Sequence, residues 1–390
     1  MEIPRSVRFV ARSVNFLLHN SLFLIAGTVI GLVWANLDVH SYERLAHGQF
    51  HFVVNEVLMC FFFAIAAKEI WEALLPGGAL SSARKAATPL LATLGGVVGP
   101  ALLYVGGALW FQRPDLTRGW AIPCATDIAF SYLVARFVFG GRHPAIPFLL
   151  LLAIADDAIG LIILAVFYPS GELHLLSFFG CVVGAVLFNR LVLRRLKVKN
   201  FWPYLLVAGP LSWWGFHHGG IEPALALVPI VPTLPHAARD IGLFAEAALP
   251  EGDRPMDTLN QFEHWWHNPV ELILMLFGFA NAGVVLGNAA LPTALVSAGL
   301  LLGKPIGITL LTVLAVKAFK LEMPAGMTFR DVLVLGFMAG IGFTVALFVS
   351  TVAFPPGTTL DAAKMGALLS FSAAILAFIA AKVLRTQKQL

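Results

Sequence analysis

The sequence predicts an all-α, polytopic membrane protein. Hydrophobic residues make up 58% of the 390-residue chain and charged residues only 12%, whereas soluble domains have roughly 45–50% apolar and about 25% charged residues. The mean hydropathy is +0.83. Apolar runs of roughly 20 residues, the length of a membrane span, recur along the whole chain. These features exclude intrinsic disorder and argue against a soluble globular protein.

Polar breaks divide the chain into about twelve apolar spans. The predicted limits are 14–36, 53–75, 87–111, 119–137, 146–168, 174–190, 202–216, 221–234, 269–287, 292–315, 331–354 and 363–384. The runs 202–216 and 221–234 are short enough for tilted or re-entrant segments, so ten or eleven full spans stay open. The basic N-terminus resembles a signal peptide, but its apolar stretch is too long, which predicts a first span left in place. No soluble domain is predicted. The longest polar insert, 235–262, includes a short amphipathic piece.

Basic residues predict the orientation of these spans. Lys and Arg are enriched in the cytoplasmic loops of membrane proteins. Twenty of them fall on the side of the N-terminus, and four fall on the other side: Arg44, Arg113, Arg118 and Lys364. We therefore expect both termini in the cytoplasm and a bacterial-type inner membrane. The net charge of +4 reflects this orientation and does not indicate nucleic-acid binding.

Asp156 and Asp157 lie side by side in the apolar run LLLLAIADDAIGLIILAVF. A carboxylate at the centre of a membrane helix costs roughly 2.5–3.5 kcal/mol on insertion scales. Helical neighbours point about 100° apart, so one acid can line a cavity while the other reaches a partner helix. A carboxylate that binds a proton or a cation, but never both, is the chemical minimum for exchanging the two. The alternative is a structural pair satisfied by Lys or by a helix end.

Lys304, in LVSAGLLLGKPIGITLL, is the predicted partner of one of these acids. The adjacent Pro305 and the flanking glycines suggest a local break in the helix. The alternative is a lysine that reaches towards the membrane interface.

Two spans are predicted to be interrupted. Pro123 removes a backbone donor in GWAIPCATDIAFSYLVA, and Thr126 and Asp127 follow. A carboxylate there can compensate the positive N-terminal end of a half-helix. A second weak point is the Gly-rich string GFMAGIGFTVALFV, although such strings also mark close helix packing. Paired interruptions favour a transporter site at the midplane, with 87–168 and 292–384 as the units of an inverted repeat.

Further ionisable residues could line an entrance on the cytoplasmic side. They are Lys68, Glu69 and Glu72 in AAKEIWEAL, and Glu263, His264 and His267 at helical spacing. These residues could respond to pH, and the last three could also bind metal; a solvated helix end is the alternative. Separately, Glu222 could face a cavity, and exposure in an outer loop is its alternative.

At these residues the chain resembles the NhaA family of sodium/proton antiporters. The matching strings are GWAIPCATDIAF, LAIADDAIG, FGFANAGV, LLGKPIGI and GIGFTVALFV, in family order and over nearly the whole chain. The resemblance implies twelve helices, an inverted repeat and two crossing discontinuous helices in a single domain, 1–390. The remaining helices, about 14–75 and 174–287, would form the interface or dimerisation part.

The resemblance also implies residue roles. Asp157, with Asp156 and Thr126, would bind the cation or proton, and the two aspartates would be the Na+ ligands. Asp127 would act in charge compensation, and Lys304 would compensate half-helix ends and pair with Asp156. The family exchanges two protons for one Na+ or Li+, which couples transport to the membrane potential at about 2.3 kcal/mol per charge and 100 mV.

Three departures from the family concern pH response and assembly. The basic residues expected after Glu69 are replaced by the run Trp71–Ala73, and Glu222 stands where the family has a histidine. The first outer loop is too short for the family's dimer-forming hairpin, so a homodimer stays open.

We therefore predict a secondary Na+(Li+)/H+ antiporter that works by alternating access and is not an enzyme. The chain lacks a GxxxxGK[ST] motif, so ion gradients must supply the energy and no cofactor is expected beyond the transported ions and membrane lipid. An ion-coupled organic-solute transporter on the same fold is the main alternative. An intramembrane aspartyl protease using Asp127 and Asp157 would need a GxGD context, which is absent, and saturable counter-flow would exclude a channel.

Overall fold

The computed structural model describes residues 22–46, 48–81, 83–237, 257–386 and 388, and all regular secondary structure in this part of the chain is helical. The long helices are α1 Leu22–Leu37, α3 Gln49–Leu74, α4 Ala83–Trp110, α6 Ala145–Phe167, α7 Leu175–Leu193, α9 Thr258–Ala282 and α10 Leu291–Lys317. The shorter ones are α2 Val39–Ala46, α5 Ile128–Phe139, α8 Gly209–Gly219, α11 Phe329–Ala339, α12 Phe343–Ala353, α13 Thr358–Leu369 and α14 Ser372–Leu384. The start of the predicted first span and the amphipathic piece 241–249 lie outside the described residues.

The described helices make this a multi-pass membrane protein. Six helical segments are long and apolar enough to cross a membrane, with α13 and α14 taken together as the continuous segment Thr358–Leu384. The number becomes eight when each of two bent helix pairs is taken as one span. Helix α1 is apolar but shorter. Most predicted span limits agree with helix bounds to within a few residues, since apolar runs of this length fold as helices in lipid.

The predicted span 221–234 is wrong as a helix. The chain there makes only short 3-10 turns, Pro223–Leu225 and Val231–Thr233, joined by i to i+3 hydrogen bonds. Proline at 223, 229 and 232 removes three amide donors, which prevents a continuous α-helix. The segment is buried all the same, because it packs inside the helix bundle.

Two other predicted limits need correction. Helix α9 begins at Thr258, capped by the Asp257 side chain on the Asn260 amide, and not at residue 269. The sequence predicts a loop over 235–262 because the first turns of this helix are polar. The predicted span 119–137 begins five residues earlier, as a 3-10 helix Pro114–Cys124.

The connection after α1 folds as helix α2 over Val39–Ala46 and does not form a strand hairpin in the residues that the structure describes. Tyr42 anchors it, because the phenol donates a hydrogen bond of 2.6 Å to the carbonyl of Phe279 on α9. This agrees with the absence of the family's hairpin expected from the sequence.

Glycines bring two helix pairs into backbone contact. A Cβ at Gly95 of α4 would lie 2.1 Å from the carbonyl oxygen of Gly307 on α10, and one at Gly99 would lie 2.4 Å from that of Gly303. Likewise, a Cβ at Gly27 of α1 would lie 2.0 Å from the Met275 carbonyl oxygen on α9. Small residues allow this close approach in membranes, where packing and not hydrophobicity holds helices together.

We expect Gly95→Ala to destabilise the protein by about 1–3 kcal/mol, because the two backbones must separate. Gly106→Ala on the same helix is the control, since a Cβ there meets nothing within 4 Å and alanine favours helix. The measurement is the melting temperature in detergent, followed by size exclusion. Equal melting of the two variants would contradict the role assigned to this contact.

Candidate functional site

Two broken spans lie at the centre of the molecule. The 3-10 helix Pro114–Cys124 and α5 meet at 55°, and α11 and α12 meet at 52°. The breaks fall at residues 125–127 and 340–342, where the sequence predicted them. Pro123 and Gly342 account for them locally, since proline lacks an amide donor and a Cβ at Gly342 would lie 2.7 Å from the Ala125 carbonyl oxygen.

The two breaks contact each other through hydrogen bonds. The Asp127 amide donates to the Ile341 carbonyl at 2.7 Å. The hydroxyl of Thr126 donates to the Ala339 carbonyl at 3.0 Å, and that of Ser131 donates to the Met338 carbonyl at 2.8 Å. The start of α5 therefore donates to carbonyls at and just after the C-terminal end of α11, where a helix leaves carbonyls without intrahelical partners; the Met338 carbonyl also accepts from the Ile341 amide at 3.1 Å.

The Asp127 carboxylate lies at the N-terminal ends of two half-helices. It caps α5 through the Phe130 amide at 3.4 Å, and it accepts hydrogen bonds from both the amide and the hydroxyl of Thr344 at the start of α12. Helix N-termini carry partial positive charge, so a buried carboxylate is stabilised there. Asp127 is 7% exposed, and these hydrogen bonds stabilise its buried negative charge.

Lys304 holds the opposite charge at a helix C-terminal end. It is fully buried, and its ammonium donates to the Cys124 carbonyl at the end of the 3-10 helix and forms an ion pair of 2.8 Å with Asp156. Helix α10 is irregular next to Lys304, because Pro305 has no amide donor and the preceding residues 299–303 form π-helical turns.

Asp157 differs from its neighbours. It makes no hydrogen bond or ion pair with any residue that the structure describes. Its carboxylate lines a cavity of about 280 Å³ between α3, α5, α6 and α9, which Thr126 and Asp127 also line. His267 on the cavity wall is exposed, so the cavity reaches the protein surface on the side where α9 begins.

Beyond Asp157 the site is nearly closed. A second cavity of only about 20 Å³ continues along α6, lined by Asp156, Asp157, Gly160, Leu161 and Leu164. That volume holds one water molecule at most, since a single water needs about 10–15 Å³. The surrounding side chains are apolar, so the larger cavity is the aqueous approach to Asp157.

The predicted entrance residues divide into three groups. Glu69 and His267 line the large cavity together with Asp157. Glu72 and Glu263 instead lie 2.6 Å and 2.5 Å from the ammonium of Lys68, which is buried. His264 is exposed and does not line the cavity, in agreement with the alternative of a solvated helix end.

Glu222 lies in a different part of the molecule. It is 6% exposed, caps the turn Pro223–Leu225, and accepts a hydrogen bond of 3.3 Å from Ser170. The expectation of an exposed outer-loop residue is therefore wrong, because the proline-rich segment that follows Glu222 is itself buried.

Sequence reasoning missed Glu271, which also lines the large cavity and is 6% exposed. The signal was available, because a single carboxylate interrupts the run NPVELILMLF four residues after His267. It was overlooked because α9 was predicted to begin near this residue, where a charge needs no explanation.

Oxygen atoms dominate the polar wall beside Asp157. Asp157, Asp127, Thr126 and Thr344, which carry carboxylate and hydroxyl oxygens, line the large cavity. Hard cations such as Na+ prefer oxygen ligands. Asp156 pairs with Lys304 through Oδ2 and lines only the small cavity beside Asp157.

Comparisons with known proteins identify the family of the chain. A family model described as Na+/H+ antiporter 1 matches residues 14–383. A protein named Na(+)/H(+) antiporter NhaA from Jannaschia sp. (strain CCS1) is 48% identical over 418 aligned residues, which cover 96% of this chain and 98% of that protein. Proteins of the same name from Desulfitobacterium hafniense (strain DSM 10664 / DCB-2) and Geobacter sulfurreducens are 47% and 46% identical, each over 97% of this chain.

A solved structure is similar in fold. The sodium proton antiporter MjNhaP1 from Methanocaldococcus jannaschii at pH 8 superimposes with a TM-score of 0.54 and 15% sequence identity, over 94% of this chain and 90% of that one. At this identity the likeness concerns the arrangement of helices alone.

Proposed function

Because this chain belongs to the Na+/H+ antiporter 1 family, we propose that it exchanges cytoplasmic Na+ for external H+ at Asp157. One observation carries the proposal: among the three acids at the centre, only Asp157 faces the aqueous cavity without a protein partner. Asp127 is held by Thr344 and helix ends, and Asp156 is held by Lys304.

Competition at one carboxylate is the basis of exchange. A buried carboxylate without a protein partner is costly unless it binds a proton or a cation. Binding either ligand removes the cost, and binding one excludes the other. An empty, charged site is disfavoured. The site therefore changes its exposure from one side of the membrane to the other only with a proton or a cation bound.

Asp156 and Lys304 would add a second proton-binding step. When Na+ binds between the two aspartates, Asp156 leaves Lys304, whose ammonium then loses a proton while the resulting amine keeps its hydrogen bond to the Cys124 carbonyl. This proton and the one that Na+ displaces from Asp157 are the two that leave. Release of two protons for each Na+ makes the exchange electrogenic. Thr126 supplies a further oxygen ligand, and Asp127 with Lys304 balances the half-helix dipoles during the conformational change.

The cavity supports alternating access from an inward-open state. We propose twelve spans in an inner membrane, with 221–234 counted as a non-helical one, and both termini in the cytoplasm. The units 87–168 and 292–384 form the inverted repeat, and the remaining helices form the interface part. The wide cavity then opens to the cytoplasm, and the narrow 20 Å³ space marks the closed outer side.

Li+ is a further substrate under this proposal, because its binding also requires only oxygen ligands. Exchange needs no cofactor, since the ion that moves down its electrochemical gradient drives the other ion against its own. Glu69 and His267 form the cytoplasmic entrance. A homodimer, if formed, would use a contact other than the family's hairpin, since α2 takes the place of that hairpin.

The test uses everted vesicles with a respiration-driven pH gradient, followed by a pH-sensitive dye. Addition of NaCl or LiCl is expected to dissipate the gradient in vesicles with the protein and not in vesicles without it. Choline chloride is the control for ionic strength. Absence of exchange at every pH, with the protein folded in the membrane, would refute the proposal, and uptake of organic solutes would then be tested.

A further inference from the structure

We propose that Glu271 is a positioning residue for the transported cation, whose carboxylate draws Na+ into the cavity from which Asp157 takes it up. The inference rests on the proposed function, in which Asp157 is the cation site. It concerns capture of the ion and not the exchange step itself.

The position of Glu271 in α9 requires an explanation. Its side chain is 6% exposed and lies between Val270 and the apolar run LILMLF. Ionisable residues at this depth are rare and mark ion pathways, because burial of a charge in a membrane is costly.

Glu271 faces the same cavity as three other acids. It lies one helical turn after His267, so both side chains are on one face of α9. Glu69 on α3, Asp157 on α6 and Asp127 at the start of α5 line the same 280 Å³ space. Four carboxylates from four parts of the chain thus line a single pocket.

The rest of the wall strengthens the effect of these charges. It is largely apolar, with Leu24, Phe62, Ile65, Phe130 and Leu274 among the lining residues. Acidic clefts with walls of low dielectric constant focus the field and raise the local cation concentration, which increases association rates by about 10–10³-fold. Because His267 marks the surface end of the cavity, an ion that approaches Asp157 passes through this field.

The test is Glu271→Gln in the everted-vesicle assay, with the Na+ concentration for half-maximal exchange measured at low and high choline chloride. At low ionic strength we expect this apparent KM to rise about tenfold with an unchanged maximal rate. At high ionic strength the difference from the wild type should shrink, because salt screens the field. Glu271→Asp, which keeps the charge, should restore most of the affinity.

Glu172→Gln is the matched control, because Glu172 is exposed outside the cavity; it should leave both parameters unchanged. An unchanged KM for Glu271→Gln, or a lower maximal rate at the same KM, would overturn the inference. The wild type gives a second test that needs no variant: its KM must rise with choline chloride, and a constant KM would also overturn the inference. Wild-type vesicles without any Na+-dependent exchange would instead refute the proposed function.

Discussion

Asp157→Asn is expected to abolish Na+- and Li+-dependent exchange at every pH. The amide has the shape of the carboxylate, but it neither takes up a proton in the working range nor offers a charged ligand to a cation. Mutation of a residue that merely hydrogen-bonds to a metal ligand typically lowers metal affinity about 10–100-fold. Loss of the ligand itself should therefore reduce exchange by more than about a hundredfold. The measurement is recovery of the dye signal in everted vesicles on addition of each salt.

The stability of Asp157→Asn separates this role from a structural one. Asp157 has no protein partner among the described residues, so neutralising it removes a buried charge without breaking a contact. We expect the melting temperature in detergent at alkaline pH to equal or exceed that of the wild type. Asp115→Asn is the control, since this exposed residue forms an ion pair with the exposed Arg113, away from the cavity. An inactive variant with a lowered melting temperature would indicate a structural acid.

The sequence predicted the central site because its signals are local. An acid in an apolar run is conspicuous, and a proline or paired glycines mark a helix break without knowledge of the partner. Asp127, Asp156, Asp157 and Lys304 were found in this way. The pairing of Lys304 with Asp156, and not with Asp157, depends on how α10 packs against α6, which no spacing along the chain specifies.

The misses have physical causes as well. The segment 221–234 is as apolar as a span, but its prolines prevent a helix and its burial by neighbouring helices satisfies a non-helical backbone. Glu271 and the ion pairs of Lys68 depend on which helices face the cavity. Composition predicts that a residue is buried in the membrane, whereas tertiary packing decides whether it faces lipid, a partner or water.

Lys304→Met is expected to destabilise the protein by about 3–5 kcal/mol, because it leaves Asp156 buried without its partner. The side chain of Asp156 is 2% exposed and its carboxylate lies 2.8 Å from the ammonium, so water cannot replace the lysine. The Cys124 carbonyl loses its hydrogen bond at the same time. Thermal unfolding in detergent measures the effect, and Lys382→Met, at an exposed position of α14, should change stability by no more than about 0.5 kcal/mol.

The double variant Lys304→Met/Asp156→Asn decides whether the charge pair itself is the cause. Replacing both members of a buried ion pair is often neutral, whereas removing one leaves an uncompensated charge. We therefore expect the double variant to regain much of the lost stability, so that the two substitutions are strongly non-additive. If the double variant instead loses as much stability as the two single variants lose together, the two residues act independently and the charge pair is not the cause. Recovery would mean that the pair adds little net stability, which is the condition under which Asp156 can leave Lys304 for a cation.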